Sequence, residues 1–251
     1  MTTPTLQTVK PTAIIVGATG AIGTAVCKAM ASTWQLVGVS RRGLSEELLE
    51  IGVTDLRVDI TAPDAGETIE GWLDNADWSC DALVIAAGIH EVSLLGEYEM
   101  KSVERMMSIN FFGPLAVTKA LLAGMLARRQ GSIVWVSSVR GELGDPGQVA
   151  YGASKGAMNS AISSLAREVG RRKVRANVVA PGVINSPMTD VLAQNWQESL
   201  TKRNPLGRMA NPEEVAAVIG WLAGPKSSYI TGTIVNVDCG EQAAMLKEPA
   251  T

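Results

Sequence analysis

Ala13-Ile14-Ile15-Val16-Gly17-Ala18-Thr19-Gly20-Ala21-Ile22-Gly23 decides the architecture of this chain. The apolar, β-branched start has the pattern of a strand buried on both faces. Glycines follow at once and permit a tight turn, after which apolar residues recur at helical spacing. In the first strand-turn-helix unit of an alternating chain, such a turn lets a pyrophosphate approach the backbone and meet the N-terminal amides of the helix. Gly17, Thr19, Gly20, Ala21, Ile22 and Gly23 are therefore candidate dinucleotide-binding residues. A plain strand-to-helix turn has the same local form, so the reading depends on what surrounds it.

Strand-like runs also occur at 36–40, 56–59, 82–86, 132–137, 174–179 and 234–237, with helical patterns between them. This alternation predicts an α/β protein with a mostly or fully parallel seven-stranded, doubly wound sheet, covered on both faces and joined by right-handed crossovers. Ligands of such sheets bind beyond the carboxyl ends of the strands, where Gly17, Ala87-Gly88, Ser138 and Pro181-Gly182 all fall. The 251 residues, 46% apolar and 19% charged, suit a single domain over 1–251 with a polar extension at 1–11.

The net charge of −3 and the scattered basic residues give no footprint for nucleic acid. Arg171-Arg172-Lys173 stands at a helix end, where it complements the dipole. The reading finds no signal peptide and no apolar run of spanning length, so it expects a cytoplasmic protein without a membrane partner. Cys27, Cys80 and Cys239 are too far apart for a metal knuckle, and His90 is the only histidine; no metal site is expected.

The second informative stretch is Tyr151-Gly152-Ala153-Ser154-Lys155, with Ser138 upstream. On a helix, a spacing of four puts the phenol and the ammonium on one face. A nearby cation favours phenolate and lowers a phenol pKa that is ordinarily about 10. Ser138 would add a hydroxyl at the same substrate oxygen. An isolated Tyr-x-x-x-Lys is usually a solvated helix face; the glycine turn and Ser138 make this one a candidate proton-transfer site.

From about residue 12 to 240 the chain resembles the short-chain dehydrogenase/reductase family. The resemblance rests on the glycine turn, Asp59, Ala87-Gly88, Asn110 within Ser108-Ile109-Asn110-Phe111-Phe112-Gly113, Ser138, Tyr151 with Lys155, Asn177-Val178-Val179-Ala180-Pro181-Gly182, and Ile230-Thr231-Gly232 leading into the last strand. It implies a Rossmann fold and hydride transfer between a nicotinamide cofactor and a carbonyl or secondary alcohol. Tyr151 would be the acid or base, Ser138 would orient the carbonyl, Lys155 would hold the ribose and lower the Tyr151 pKa, and Asn110 would order a water leading to solvent. Asp59, Ile60, Ala87, Gly88, Pro181, Gly182, Ile184 and Ser186 would join the glycine turn around the cofactor. Two positions depart from the family pattern. The glycines fall at 17, 20 and 23, and Ile85-Ala86-Ala87-Gly88 lacks the usual pair of asparagines.

The end of the second strand, Ser40-Arg41-Arg42, bears on the choice of cofactor. Selection of the unphosphorylated dinucleotide normally uses an acid about 20 residues past the glycine turn, and here none occurs before Glu46. Ser40 and Arg41 can donate to a 2′-phosphate, with Arg42 a second donor or a solvated turn residue, so NADP(H) is expected over NAD(H). His90 is read as a cofactor-side loop residue. Met188, Leu192, Trp196 and Leu200 recur at helical spacing in 184–205, the region of the family's substrate lid, as core or pocket wall. The family implies a homo-oligomer, tetramer or dimer, through helices at 103–128 and 151–169. A small-molecule carbonyl reductase or alcohol dehydrogenase leads, ahead of 3-oxoacyl-(acyl-carrier-protein) reduction, for which Arg128, Arg129, Arg171 and Arg172 are the available donors, and a non-catalytic nucleotide sensor.

Overall fold

The computed structural model describes residues 10–190 and 204–245. Seven strands form one parallel sheet in the order β3-β2-β1-β4-β5-β6-β7. They are β1 (Thr12–Val16), β2 (Gln35–Ser40), β3 (Thr54–Arg57), β4 (Ala82–Ile85), β5 (Gly131–Val136), β6 (Val174–Pro181) and β7 (Ile234–Val237). The order reverses between β1 and β4, which opens a crevice at their carboxyl ends.

Side chains alternate through the sheet as a strand period of two requires. Ile14 and Val16 join a core with Ile69 and Leu73 of α3 (Ala65–Asn75), Val117 and Leu121 of α5 (Gly113–Arg128), and Met158 and Ile162 of α6 (Val149–Val169). Ala13 and Ile15 join the opposite core with Val26 and Met30 of α1 (Ala21–Met30) and Val215, Ile219 and Leu222 of helix Pro212–Ala223. Complete burial of each such aliphatic side chain contributes about 1.5–3 kcal/mol.

Two expectations need correction. The sequence pattern predicts the third strand at 56–59, but the ladder with β2 runs from Val37↔Thr54 to Ser40↔Arg57. Asp59 therefore lies beyond the strand, where its Oδ1 accepts the Thr61 N–H at 2.9 Å and the Thr61 hydroxyl at 2.7 Å. The second concerns apolar length. Helix α4 (Met100–Met107), a π-helical turn (Ser108–Phe112) and α5 form one run of 29 residues, long and apolar enough by length and composition alone to cross a membrane. One side of it packs into the protein, with Met106, Val117, Leu121 and Met125 buried.

Candidate active site

The glycine turn is built by close backbone approach. Gly17 has φ +85°, and a Cβ added there would lie 2.5 Å from the Ala87 nitrogen; one on Gly23 would lie 2.1 Å from the Gly17 oxygen. Gly17 N–H donates to Val39 O at 2.8 Å and Ala86 N–H to Val16 O at 2.8 Å, which ties the ends of β1, β2 and β4 together. Backbone bonding thus joins these strand ends where the family's asparagine pair is missing. Gly20 precedes α1 without a side-chain cap, and the first turn of α1 holds no acid. The first amides of α1 are therefore left for an anion.

Beside this turn lies a cavity of about 220 Å³, lined by Gly17, Thr19, Gly20, Ser40, Arg41, Asp59, Ile60, Ala87, Gly88, Ile89 and Ile109 among others. The Ser40 hydroxyl oxygen is buried without a hydrogen-bond partner. Asp59 is held below the usual carboxylate range by the Thr61 N–H and hydroxyl, with Arg41 adding a smaller attraction. Arg42 is exposed and outside both this cavity and the next one, which favours its reading as a solvated turn residue. An uncapped helix N-terminus, a tight glycine cradle, an orphaned hydroxyl and an exposed guanidinium fit a dinucleotide.

A second cavity of about 400 Å³ shares Thr19, Gly20, Ala86 and Gly88 with the first, so the two are lobes of one crevice. Ser138, Tyr151, Ala21, Ile22, Pro181, Gly182, Ile184 and Ser186 line it, together with His90, Val139, Arg140, Gln148 and Thr189. Ser138 follows β5, and Tyr151 sits in the first turn of α6. Both line this lobe, and Ser138 Oγ accepts the Arg140 N–H at 3.2 Å. Burial pushes the Tyr151 phenol up; the Ser138 bond and the Arg140 charge pull the other way without overcoming it.

Lys155 lies behind the cavity wall. Its Nζ donates to Val136 O at 3.0 Å, contacts Met158 Sδ at 3.7 Å and stands 5.8 Å from the centre of the Tyr151 ring. Burial pushes this lysine down to about 8. The ammonium thus stands beside the phenol ring on the face the spacing of four predicts, while desolvation is the largest influence on the phenol.

Asn110 is fully buried in the π-helical turn. Its Oδ1 accepts the Ile89 N–H at 2.8 Å, and its Nδ2 donates to Ile89 O at 3.0 Å and Ser154 Oγ at 3.0 Å. With both ends of the carboxamide engaged, any water it orders would be held by its main-chain carbonyl. Such turns shift the i→i+4 register and are frequent at functional sites.

His90 lies in a loop and lines the larger lobe together with Gly88 and the glycine turn. Its ring meets Tyr151 edge-on at 4.4 Å between centroids, and Nε2 lies 2.8 Å from Gln148 Oε1. Burial is the main cause that lowers its pKa, with Lys155 and Arg140 adding repulsion. Arg140 and Gln148, within the 140–150 stretch that shapes the substrate side, are not singled out as site residues by the sequence but line this lobe. The available signal was a lone charge two residues after Ser138, within Val139-Arg140-Gly141. Of the 184–205 region, Ile184 forms a bridge with Ala210; Leu192, Trp196, Leu200 and the side chain of Met188 lie outside the described residues.

A family model described as enoyl-(acyl carrier protein) reductase matches residues 17–242. A 3-oxoacyl-[acyl-carrier-protein] reductase of Thermotoga maritima is 42% identical over 160 residues, which span 64% of this chain and 65% of that protein. Carbonyl reductase family member 4 of Xenopus laevis is 37% identical over 91% of this chain and 96% of its own. Among solved structures, a 3-oxoacyl-[acyl-carrier protein] reductase from Brucella melitensis superposes with a TM-score of 0.83 at 28% identity, covering 92% of this chain and 91% of the other.

Proposed function

The chain belongs to the short-chain dehydrogenase/reductase family of oxidoreductases, and we propose that it is an NADP(H)-dependent enzyme interconverting a small carbonyl compound and its secondary alcohol, with Tyr151 as the acid or base. The observation that carries this reading is the convergence of Ser138 and Tyr151 in the wall of a largely apolar cavity that is continuous with the glycine turn. When bound, the nicotinamide ring supplies the hydride in reduction and takes it up in oxidation.

The protein residues manage the proton and the position of the substrate. Gly17, Thr19, Gly20, Ala21, Ile22, Gly23, Asp59, Ile60, Ala87, Gly88, Pro181, Gly182, Ile184 and Ser186 would surround the dinucleotide, with Lys155 at its ribose. Ser40 and Arg41 would meet a 2′-phosphate. Ser138 would direct the substrate oxygen toward Tyr151. With its pKa raised, the phenol is protonated at neutral pH and ready to give that proton to a carbonyl oxygen. The proton would return along Tyr151, Lys155 and a water at the Asn110 carbonyl. His90, neutral above its lowered pKa, would narrow the apolar wall. We further propose a single cytoplasmic domain over 1–251 with residues 184–205 as lid.

A steady-state assay on ketones, alcohols and acyl thioesters tests this reading together with Tyr151→Phe. We expect turnover with NADPH on at least one carbonyl, lowered by about 10² to 10⁴ in the Phe variant, with cofactor affinity near wild type. A Phe variant retaining most of its turnover overturns it.

A second reading, 3-oxoacyl-(acyl-carrier-protein) reduction, is favoured by the names of several relatives. Within one chain Arg128 donates to Cys80 O at 2.7 Å and Arg129 to Arg171 O at 2.9 Å. These residues precede β5 and β6, at the opposite end of the sheet from Ser138. Efficient turnover of a carrier-bound 3-oxoacyl thioester, with poor turnover of simple ketones, would select this reading.

A further inference from the structure

The larger lobe holds a polar side chain to which the proton-transfer scheme gives no task. Several other polar groups of its wall are already engaged within the protein. Ser137 Oγ donates to Lys155 O at 3.1 Å, and Thr189 Oγ1 donates to Ile184 O at 2.7 Å. Arg140 places Nη2 at 2.6 Å from Glu241 Oε1 and 3.4 Å from Asp145 Oδ2; Glu241 is completely buried and comes from just after β7, 101 residues further along the chain. Gln148 differs. It is 4% exposed, lines the lobe, and has its Oε1 at 2.8 Å from His90 Nε2. A carbonyl oxygen can only accept, so the imidazole donates this bond and the amide end of Gln148 keeps both N–H donors. Among the described residues these donors meet no acceptor.

The backbone beneath that side chain is fixed. Gln148 precedes α6, and its carbonyl accepts the Gly152 N–H at 2.7 Å, while its side chain makes no cap bond to the helix. The carbonyl of Gly147, whose φ is +77°, accepts the Ser93 N–H at 3.1 Å and the Tyr98 hydroxyl at 3.1 Å. Gln148 stands three residues before Tyr151, a spacing that makes side chains neighbours on one helix face. The His90 ring touches both, 4.4 Å from the ring of Tyr151 and hydrogen-bonded to the carboxamide. We propose that Gln148 is a specificity-determining residue whose free amide receives a second oxygen of the substrate, so that the site prefers a carbonyl compound carrying another acceptor oxygen close to the reacting one, as in an oxo ester. The inference deepens the acid/base reading of Tyr151 and rests on it. A buried donor left unmet disfavours any substrate that lacks the second oxygen.

Ethyl 3-oxobutanoate and 2-heptanone have chains of equal length and differ in the ester group. The quantity to measure is the ratio of their kcat/KM values, ester over ketone, with NADPH or NADH as donor. Comparing this ratio between wild type and variants cancels the intrinsic difference in reactivity of the two carbonyls. We expect Gln148→Met, similar in length and without a donor, to lower the ratio by roughly three- to ten-fold, the worth of one neutral hydrogen bond. Gln148→Glu, which presents an acceptor where the amide stood, should lower it at least as far, and it provides the reading if the Met variant does not fold. A ratio that stays at the wild-type value in a folded variant, with both rates falling together, overturns the inference, because the carboxamide would then serve only to hold His90. A wild type that does not reduce the ester overturns it as well. Full turnover by Tyr151→Phe would instead bring down the acid/base reading, whatever the Gln148 variants show, so the two failures are separable.

Discussion

Lys155 carries its charge into a place where burial opposes it, and the sign of that cost is measurable. Its folded pKa of about 8 lies below its ordinary 10.5, so between those values the unfolded chain holds more proton than the folded one. The stability associated with neutral Lys155 is fully present above about pH 10.5 and is lost as pH falls to 8. A depression of this size corresponds to about 3 kcal/mol against the folded state at neutral pH, partly offset by the bond to Val136 O. We expect Lys155→Met to melt at or above the wild-type temperature at pH 7 while losing turnover and cofactor affinity, with the difference in melting temperature shrinking between pH 8 and 10.5. A variant several degrees less stable across that range would contradict this. Arg41 makes the complementary case at the other lobe. One charge-assisted hydrogen bond is worth about 1.5–3 kcal/mol, so Arg41→Ala should weaken NADPH binding by roughly ten-fold or more and leave NADH binding almost untouched. Equal losses for both nucleotides, or a wild-type preference for NADH, would refute the assignment of Arg41 to a 2′-phosphate.

Among the elements, β5 joins core and chemistry, since its last residues lead directly into Ser137 and Ser138. Trp135 of β5 is 1% exposed and donates its indole N–H to Thr118 Oγ1 of α5 at 3.1 Å. Thr118→Val keeps the shape but strands that donor, and it should cost about 1–3 kcal/mol in denaturant unfolding with cofactor affinity unchanged. A neutral effect would mean the indole finds another acceptor. This contact could not be read from sequence, whereas the strands themselves could. Near-continuous apolar runs such as Ala13-Ile14-Ile15-Val16 carry a strong local signal, and so do glycines that backbone crowding requires. Strand ends were less legible: β3 stops at Arg57 because its partner β2 ends at Ser40, a limit set by pairing rather than composition. The residues around the crevice divide similarly. Ser138, Tyr151 and Lys155 lie close in sequence and announce one another, but Arg140 gains meaning only through Glu241, and His90 only through the ring of Tyr151.

At the scale of the whole molecule, the run Met100–Arg128 keeps Phe112 and Leu115 exposed at 56% and 43%, with Met100 at 66%. Aqueous exposure of these side chains next to a well-packed core suits burial against a second copy. We expect light scattering at micromolar concentration to give a dimer or tetramer, and Phe112→Glu with Leu115→Glu to reduce it to smaller species. A wild-type monomer with full activity would exclude this assembly. The strand order has a further consequence for how the protein comes into being. β1 can find β2 and β4 once residue 85 has been made, and β5 can find β6 by residue 181, so most of the sheet can assemble while the polypeptide is still attached to the ribosome. The carboxylate that holds Arg140 arrives only with residue 241. A nascent chain with its sheet already largely paired would thus still lack the ion pair that buries Arg140 in the wall of the crevice.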